Sequence, residues 1–301
     1  MASMLELAES SRPTASKKRH KVALVIGSGG LKCMAAFGAI KVLQREGIEV
    51  DMIVACSGGA LSGVWMAIEA GDPDEGAAYF SRIWQTAFSK KSYKSIFKAI
   101  FPKLFGFKGR FGIVDERAIN RAMHEFVGER RFEDLKIPLY LVATDFTTGE
   151  KVVLSEGSIF DAMRATISIP LVLPHWEVDG KLLVDGALSN PLPIDVAVRE
   201  GADVIVAIGF EDTLSSKFPT GMSLVTQLIS VMVNHLYSSQ YAFYSLSHHA
   251  EVVPIIPAFS QAVSLEDLHL IPHLVEQGAQ AAEGEIPYLR RLLSSNESQA
   301  V

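Results

Sequence analysis

The chain of 301 residues is 49% apolar and 21% charged, with 28 bases against 34 acids and a formal charge of −6. That balance excludes a disordered or collagen-like chain, and the net acidity argues against a nucleic-acid binder. Cys33 and Cys56, the two cysteines, are too few for a disulfide framework and fit a reducing compartment. The longest apolar approach to a membrane span, Gly221 to Val233, is short and interrupted by Gln227. Glu6 and Glu9 near the start, with no apolar core around them, argue against a secretory signal, so a cytoplasmic location is expected.

Residues 1–20 are rich in Ser, Ala and charge and read as a disordered tail. From Lys21 the pattern becomes α/β. Val22 to Ile26 is a short β-rich run closed by glycines, as in a buried parallel strand. Leu31 to Glu46 repeats apolar residues at helical spacing (Met34, Phe37, Ile40, Leu43) and stops at Gly47. Met52 to Ala55 predicts a second strand and Ala60 to Ala70 a second helix. Further strands are expected at Leu139–Thr144, Lys151–Leu154, Leu182–Val184, Val204–Ile208 and Val252–Ile256. Helical patterns lie at Asp115–Phe126, Ile194–Glu200, Leu224–Leu246 and Leu274–Leu293. Strands alternating with helices imply a mostly parallel sheet with helices on both faces, in one domain over residues 21–293 with a flexible end at 294–301.

Two strand-to-helix turns stand out. Gly27-Ser28-Gly29-Gly30-Leu31-Lys32 frees backbone N–H groups at a positive helix end, fit for a phosphate or a developing oxyanion. It fails as a dinucleotide fingerprint, because the third glycine falls at Lys32, and it fails as a P-loop. A plain tight turn is the alternative. Ala55-Cys56-Ser57-Gly58-Gly59 has the context of a nucleophile elbow, with Ala in place of the first glycine. Here the alternative is a serine that only caps its helix. A serine nucleophile needs a base. The candidates are His175, the later histidines (His235, His248, His249, His269, His273), and Asp185, which ends an apolar strand before a glycine turn. Apolar flanks would raise the carboxyl pKa and strengthen it as a base. An ordinary Asx turn is the plainer role for Asp185.

Taken together, four ordered blocks over residues 22–290 resemble the bacterial patatin-like phospholipases. Gly27 to Lys32 is similar to that family's glycine-rich oxyanion loop, and Ala55 to Gly59 to its serine elbow. Arg164 to Pro170, running on to Pro174, resembles the segment before the acid. Asp185-Gly186-Ala187, followed by Asn190 to Pro193, resembles the acid block, the fourth of the four; apart from these, Ala143 to Glu150 is also similar to a common family segment. The resemblance implies a three-layer patatin-like α/β fold and a Ser-Asp dyad. Ser57 would be the nucleophile, Asp185 the base, and Gly29, Gly30, Leu31 and Lys32 the oxyanion hole. Ala55, Gly59, Gly186 and Ala187 would support the elbow and the acid. It implies hydrolysis of phospholipid or lysophospholipid esters through an acyl-enzyme, with no cofactor. No local loop reads as a metal site. Three residues depart from the family: Lys32 stands for arginine, Cys33 for glycine and Ala55 for glycine, which bears on efficiency and substrate shape. The two cysteines beside the turns read as small core fillers or, alternatively, a redox switch. The competing readings are a conventional Ser-Asp-His esterase and a catalytically weak, membrane-associated scaffold that kept the fold. A nucleotide-binding protein is more distant.

Residues 76–114 hold no acid, eight bases and ten aromatics. Tyr93, Phe97 and Phe101 recur one turn apart, with Lys91, Lys94 and Lys98 on another face, up to Pro102. That pattern predicts an interfacial helix on anionic lipid at the inner face of the membrane, or a lid, against a core face with a lysine rim. Without those eight bases the rest of the chain holds 20 bases against 34 acids, so an acidic body carries a basic aromatic patch. The segment Met222 to Leu246 reads chiefly as a packing helix, with an acyl groove or dimer face as alternatives. Oligomeric state is not legible.

Overall fold

The computed structural model describes residues 19–69, 71–87, 112, 114–211, 213, 214, 216, 221–246 and 250–294. The expected terminal tails lie outside these apart from residues 19, 20 and 294. So do Lys91, Lys94, Phe97, Lys98 and Phe101, the residues expected to contact a membrane.

Among the described residues, eight strands form one sheet: β1 (Val22–Ile26), β2 (Met52–Cys56), β3 (Leu139–Asp145), β4 (Lys151–Leu154), β5 (Trp176–Val178), β6 (Lys181–Asp185), β7 (Val204–Ile208) and β8 (Glu251–Ile255). Their order is β5-β6-β3-β2-β1-β7-β8, with β4 also on β3. Strands β3, β2, β1, β7 and β8 run parallel, whereas β4 and β6 pair antiparallel with β3, and β5 with β6. The α-helices among the described residues are α1 (Ala35–Arg45), α2 (Gly59–Glu69), α3 (Pro73–Ala87), α4 (Glu116–Val127), α5 (Ile159–Thr166), α6 (Ile194–Arg199), α7 (Gly221–Leu246) and α8 (Ile271–Ser294).

Every residue of β1 is buried, and alternation divides them between two cores. Val22, Leu24 and Ile26 face the core shared with α1, α2, α3, α4 and α8. Ala23 and Val25 face the one closed by residues of α6 and α7. Helices therefore cover both faces, as the sequence implies. The long α8 lies close against α1, where a Cβ on Gly38 would overlap the Val275 carbonyl and one on Gly278 the Ala35 carbonyl.

Several elements differ from the sequence expectation. Leu31 to Glu46 is not one helix: Gly30–Met34 forms a 3-10 turn, and α1 starts at Ala35. Helices α3 and α5 and strand β5 are additions. In the described head of the basic aromatic stretch, residues 76–87, two aromatics take the core role that stood as the alternative to a lid or lipid contact. Phe80 is fully buried in α3, with ring centroids 5.9 Å from Phe37, 6.3 Å from Trp65 and 5.3 Å from Phe126. Trp84 is buried too, and its indole N–H donates to the Leu265 carbonyl (3.0 Å). Helix α7 packs through Tyr237, yet leaves Leu224, Leu228, Met232 and Phe243 exposed.

Candidate active site

Strands β1 and β2 run parallel in the register Ile26↔Ala55, so both glycine-rich turns leave the sheet at the same end. On its other side β1 pairs with β7, and the chain after each strand departs toward opposite sides. This is a topological switch point, where open α/β sheets place their sites. The turn after β1 is tied to that end. Gly27 N–H donates to the Ile208 carbonyl (2.9 Å) and Ser28 N–H to the Pro191 carbonyl (2.8 Å). The Tyr237 hydroxyl donates to the Ser28 carbonyl (2.5 Å). Lys32 is buried, and its Nζ donates to the carbonyls of Phe210 (3.2 Å) and Glu211 (3.0 Å) beyond β7.

Ser57 sits at the apex of the second turn with φ 54, in the left-handed region that a non-glycine residue enters only at a cost of about 1–3 kcal/mol. Its backbone N–H donates to Thr166 Oγ1 (2.8 Å), whose hydroxyl donates onward to the Val142 carbonyl (2.5 Å). The following helix, α2, directs its positive end at this apex. Gly58 and Gly59 are required by close approach. A Cβ on Gly58 would lie 2.7 Å from the Gly30 carbonyl oxygen, and one on Gly59 2.5 Å from that of Gly27. The two turns are thus packed backbone against backbone. Ala55, in place of the family glycine, faces Gly63 of α2, where a Cβ would come within 3.1 Å of the Ala55 methyl. The helix supplies the room that the strand gave up.

Asp185 reaches the same point from the antiparallel side. Cys56 pairs with Val142 and Ala143 pairs with Asp185, so Ser57 and Asp185 stand level on either side of β3. The Ser57 hydroxyl donates to Asp185 Oδ2 at 2.6 Å. Oδ1 accepts the Ala187 N–H (2.9 Å), so the Asx-turn role is present as well. Burial pushes the carboxyl pKa up from 3.8 to about 6, against the lowering effect of the Ser57 and Ala187 hydrogen bonds. A Cβ on Gly186 would overlap the Val142 carbonyl, which explains the glycine after the acid. Among the other candidate bases, His235, His269 and His273 are exposed, whereas Ser57 and Asp185 are buried, and His248 and His249 lie outside the described residues. His175 is half-buried. The Ser57 hydroxyl proton goes to the acid.

Beside Ser57 lies an apolar cavity bounded by Gly30, Leu61, Trp84, Met123, Val172 and Leu173. Of the four expected oxyanion donors, Lys32 has its N–H turned to the Gly29 carbonyl (3.1 Å). Cys33 is buried with its thiol near the Gly27 carbonyl (3.5 Å), and burial pushes the Cys56 thiol well up, so both act as small core groups. Thr166, which holds the serine backbone, is not among the site residues expected from the sequence. Its signal is its place inside the Arg164 to Pro170 block.

Residues 24–198 match the patatin-like phospholipase family. The chain belongs to this family. An uncharacterized NTE family protein of Mycobacterium tuberculosis is 34% identical over 188 residues, 62% of this chain and 48% of that protein. Human patatin-like phospholipase domain-containing protein 6 is 32% identical over 192 residues, 63% of this chain and 13% of that protein. The chain spans about half the length, or much less, of these curated relatives. Among solved structures, human GIVD cytosolic phospholipase A2 shares the fold with a TM-score of 0.53 over 97% of this chain and 65% of that one, at 11% identity. The patatin-like frame thus extends past the matched residues, through β7 and β8 to α8. No helix among the described residues is long and apolar enough to cross a membrane.

Proposed function

We propose that this patatin-like protein is a lipid acyl hydrolase that cleaves carboxylic esters of phospholipids or lysophospholipids. The observation that carries the reading is the direct 2.6 Å hydrogen bond from the strained Ser57 to the buried Asp185, beside an apolar cavity. Ser57 Oγ attacks the ester carbonyl carbon as its proton passes to Asp185 Oδ2. The oxyanion is held by backbone N–H groups of Gly29, Gly30 and Leu31, each worth about 3 kcal/mol in comparable sites. The intermediate collapses, and the leaving alcohol takes the proton from Asp185. Water then attacks the acyl-enzyme and gives a proton to the same carboxylate; the bond to Oγ breaks, the fatty acid leaves, and Ser57 Oγ takes the proton back from Asp185.

The apolar cavity suits an acyl chain. An anionic lipid surface, contacted through Lys91, Lys94, Phe97, Lys98 and Phe101, is the setting we propose for catalysis. The test is a fluorophosphonate probe on the purified protein. Labelling of wild type and not of Ser57→Ala is expected; equal labelling of both would remove Ser57 as nucleophile.

A further inference from the structure

The segment before the acid does more than join α5 to β5. Arg164, in the last turn of α5, is fully buried. Its Nε donates to Asn120 Oδ1, its Nη2 to Glu116 Oε2 and its Nη1 to Ser168 Oγ, each at 2.8 Å. Nη2 also reaches the Pro174 carbonyl at 3.4 Å, and the Trp176 ring lies 5.0 Å from Cζ. Glu116 and Asn120 lie one turn apart on α4, which gives Ile119 and Met123 to the cavity beside Ser57. The stretch from Ser168 to Pro174 gives Ile169, Val172 and Leu173. One guanidinium therefore fastens the two walls of the cavity to each other. The planar fork suits that task, since five donors at fixed angles can hold several chain segments at once.

The same segment also holds the reacting pair. Two residues past Arg164, the Thr166 hydroxyl accepts the Ser57 N–H. Two further on, the Ser168 carbonyl accepts the Asp185 N–H (3.0 Å). Arg164, Thr166 and Ser168 thus link cavity wall, serine and acid along five residues. Leu171, between the lining residues Ile169 and Val172, is itself exposed and takes φ 69, a conformation that costs a non-glycine residue about 1–3 kcal/mol.

We propose that Arg164 is a positioning residue that makes turnover at Ser57 depend on how fully the acyl cavity is filled. The inference rests on the acyl-hydrolase reading. A long chain presses on walls that Arg164 holds, and Thr166 and Ser168 carry that contact to the dyad. Binding energy from the remote part of the substrate is then realised in kcat and not only in KM.

The test measures kcat and KM separately on p-nitrophenyl esters from acetyl to palmitoyl, for wild type, Arg164→Lys and Arg164→Met. Wild-type kcat should rise with chain length. In Arg164→Met the rise should flatten, with a loss of about 30-fold in kcat on palmitoyl and under about 3-fold on acetyl. Arg164→Lys, which keeps the charge and loses the fork, should fall between. Equal losses at every chain length, or none on palmitoyl, would overturn the proposal. If Arg164→Met does not fold, Glu116→Gln and Ser168→Ala each weaken one contact, and a smaller flattening must still appear in both. A wild type inactive on every ester and unlabelled by fluorophosphonate would instead overturn the acyl-hydrolase reading, and this inference with it.

Discussion

The two glycine-rich turns leave adjacent parallel strands at the same level, yet they meet the backbone problem in opposite ways. In Gly27 to Lys32 the left-handed position falls on Gly30 (φ 56), which bears no side-chain penalty there. In Ala55 to Gly59 it falls on Ser57 (φ 54), although glycines follow immediately. In the mechanism we propose, the first turn supplies backbone donors, and glycine keeps that loop open. The second needs a side chain at its apex, and strain of about 1–3 kcal/mol is held in place by Thr166, Asp185 and α2. Strain marks the turn that presents a side chain for chemistry.

The sharpest way to break this comparison is to remove the chemistry and keep the turn. Ser57→Ala and Asp185→Asn should each lower kcat by about 10⁴-fold or more in ester assays. Retained activity in Asp185→Asn would assign the base elsewhere. Stability should move the other way. The carboxyl pKa is raised from 3.8 to about 6, so folding favours the protonated form. This group's stabilisation is fully present below 3.8 and is lost as pH rises through 6, a difference of about 3 kcal/mol. Asp185→Asn should therefore melt higher than wild type at about pH 8 and lose that advantage near pH 4.

The next largest effect tests the contact between the turns. Gly58→Ala drives a methyl to within 2.7 Å of the Gly30 carbonyl oxygen. Overpacking of this kind costs about 1–3 kcal/mol, and because it moves the oxyanion loop, kcat should fall about 100-fold with a smaller change in KM. An unchanged kcat would mean that the two turns move independently.

The comparison also separates what was legible in the sequence from what was not. Both turns were readable, because glycine and small residues between an apolar run and a helical period have few other uses. The 3-10 entry to α1 was hidden, since Leu31 and Met34 fit a helical period as well as a tighter turn. Strand β6 was expected, whereas its antiparallel partner β5 was not, although the turn between them is written plainly. Asp179 (φ 50) and Gly180 (φ 75) form the Asp-Gly pair of a two-residue hairpin. Helix α5 was signalled by Ser158, whose hydroxyl accepts the Asp161 N–H at its start. Its eight residues are too short for periodicity to show. The roles of Arg164 and Thr166 were legible only as membership of the Arg164 to Pro170 block, because Glu116 and Asn120 of α4, Ser57 after β2 and Val142 of β3 are distant in the chain.

Two smaller effects sharpen the comparison. Asp185 must be ionised to accept the serine proton, so kcat should climb through about pH 6, with activity at pH 5 about a tenth of its plateau. A flat profile from pH 5 to 8 would remove Asp185 as base. The smallest effect concerns Lys32, whose Nζ anchors the first turn to the Phe210 and Glu211 carbonyls. Lys32→Met frees that anchor but leaves every backbone donor in place. Lys32→Arg restores a cation with more donors. We expect kcat to fall about 5-fold in Lys32→Met, with KM little changed, and Lys32→Arg to stay within about 2-fold of wild type. A loss in Lys32→Met as large as that of Gly58→Ala would mean that the first turn depends on its anchor as much as on its contact with the second. The glycine loop would then be no less finely held than the strained serine beside it.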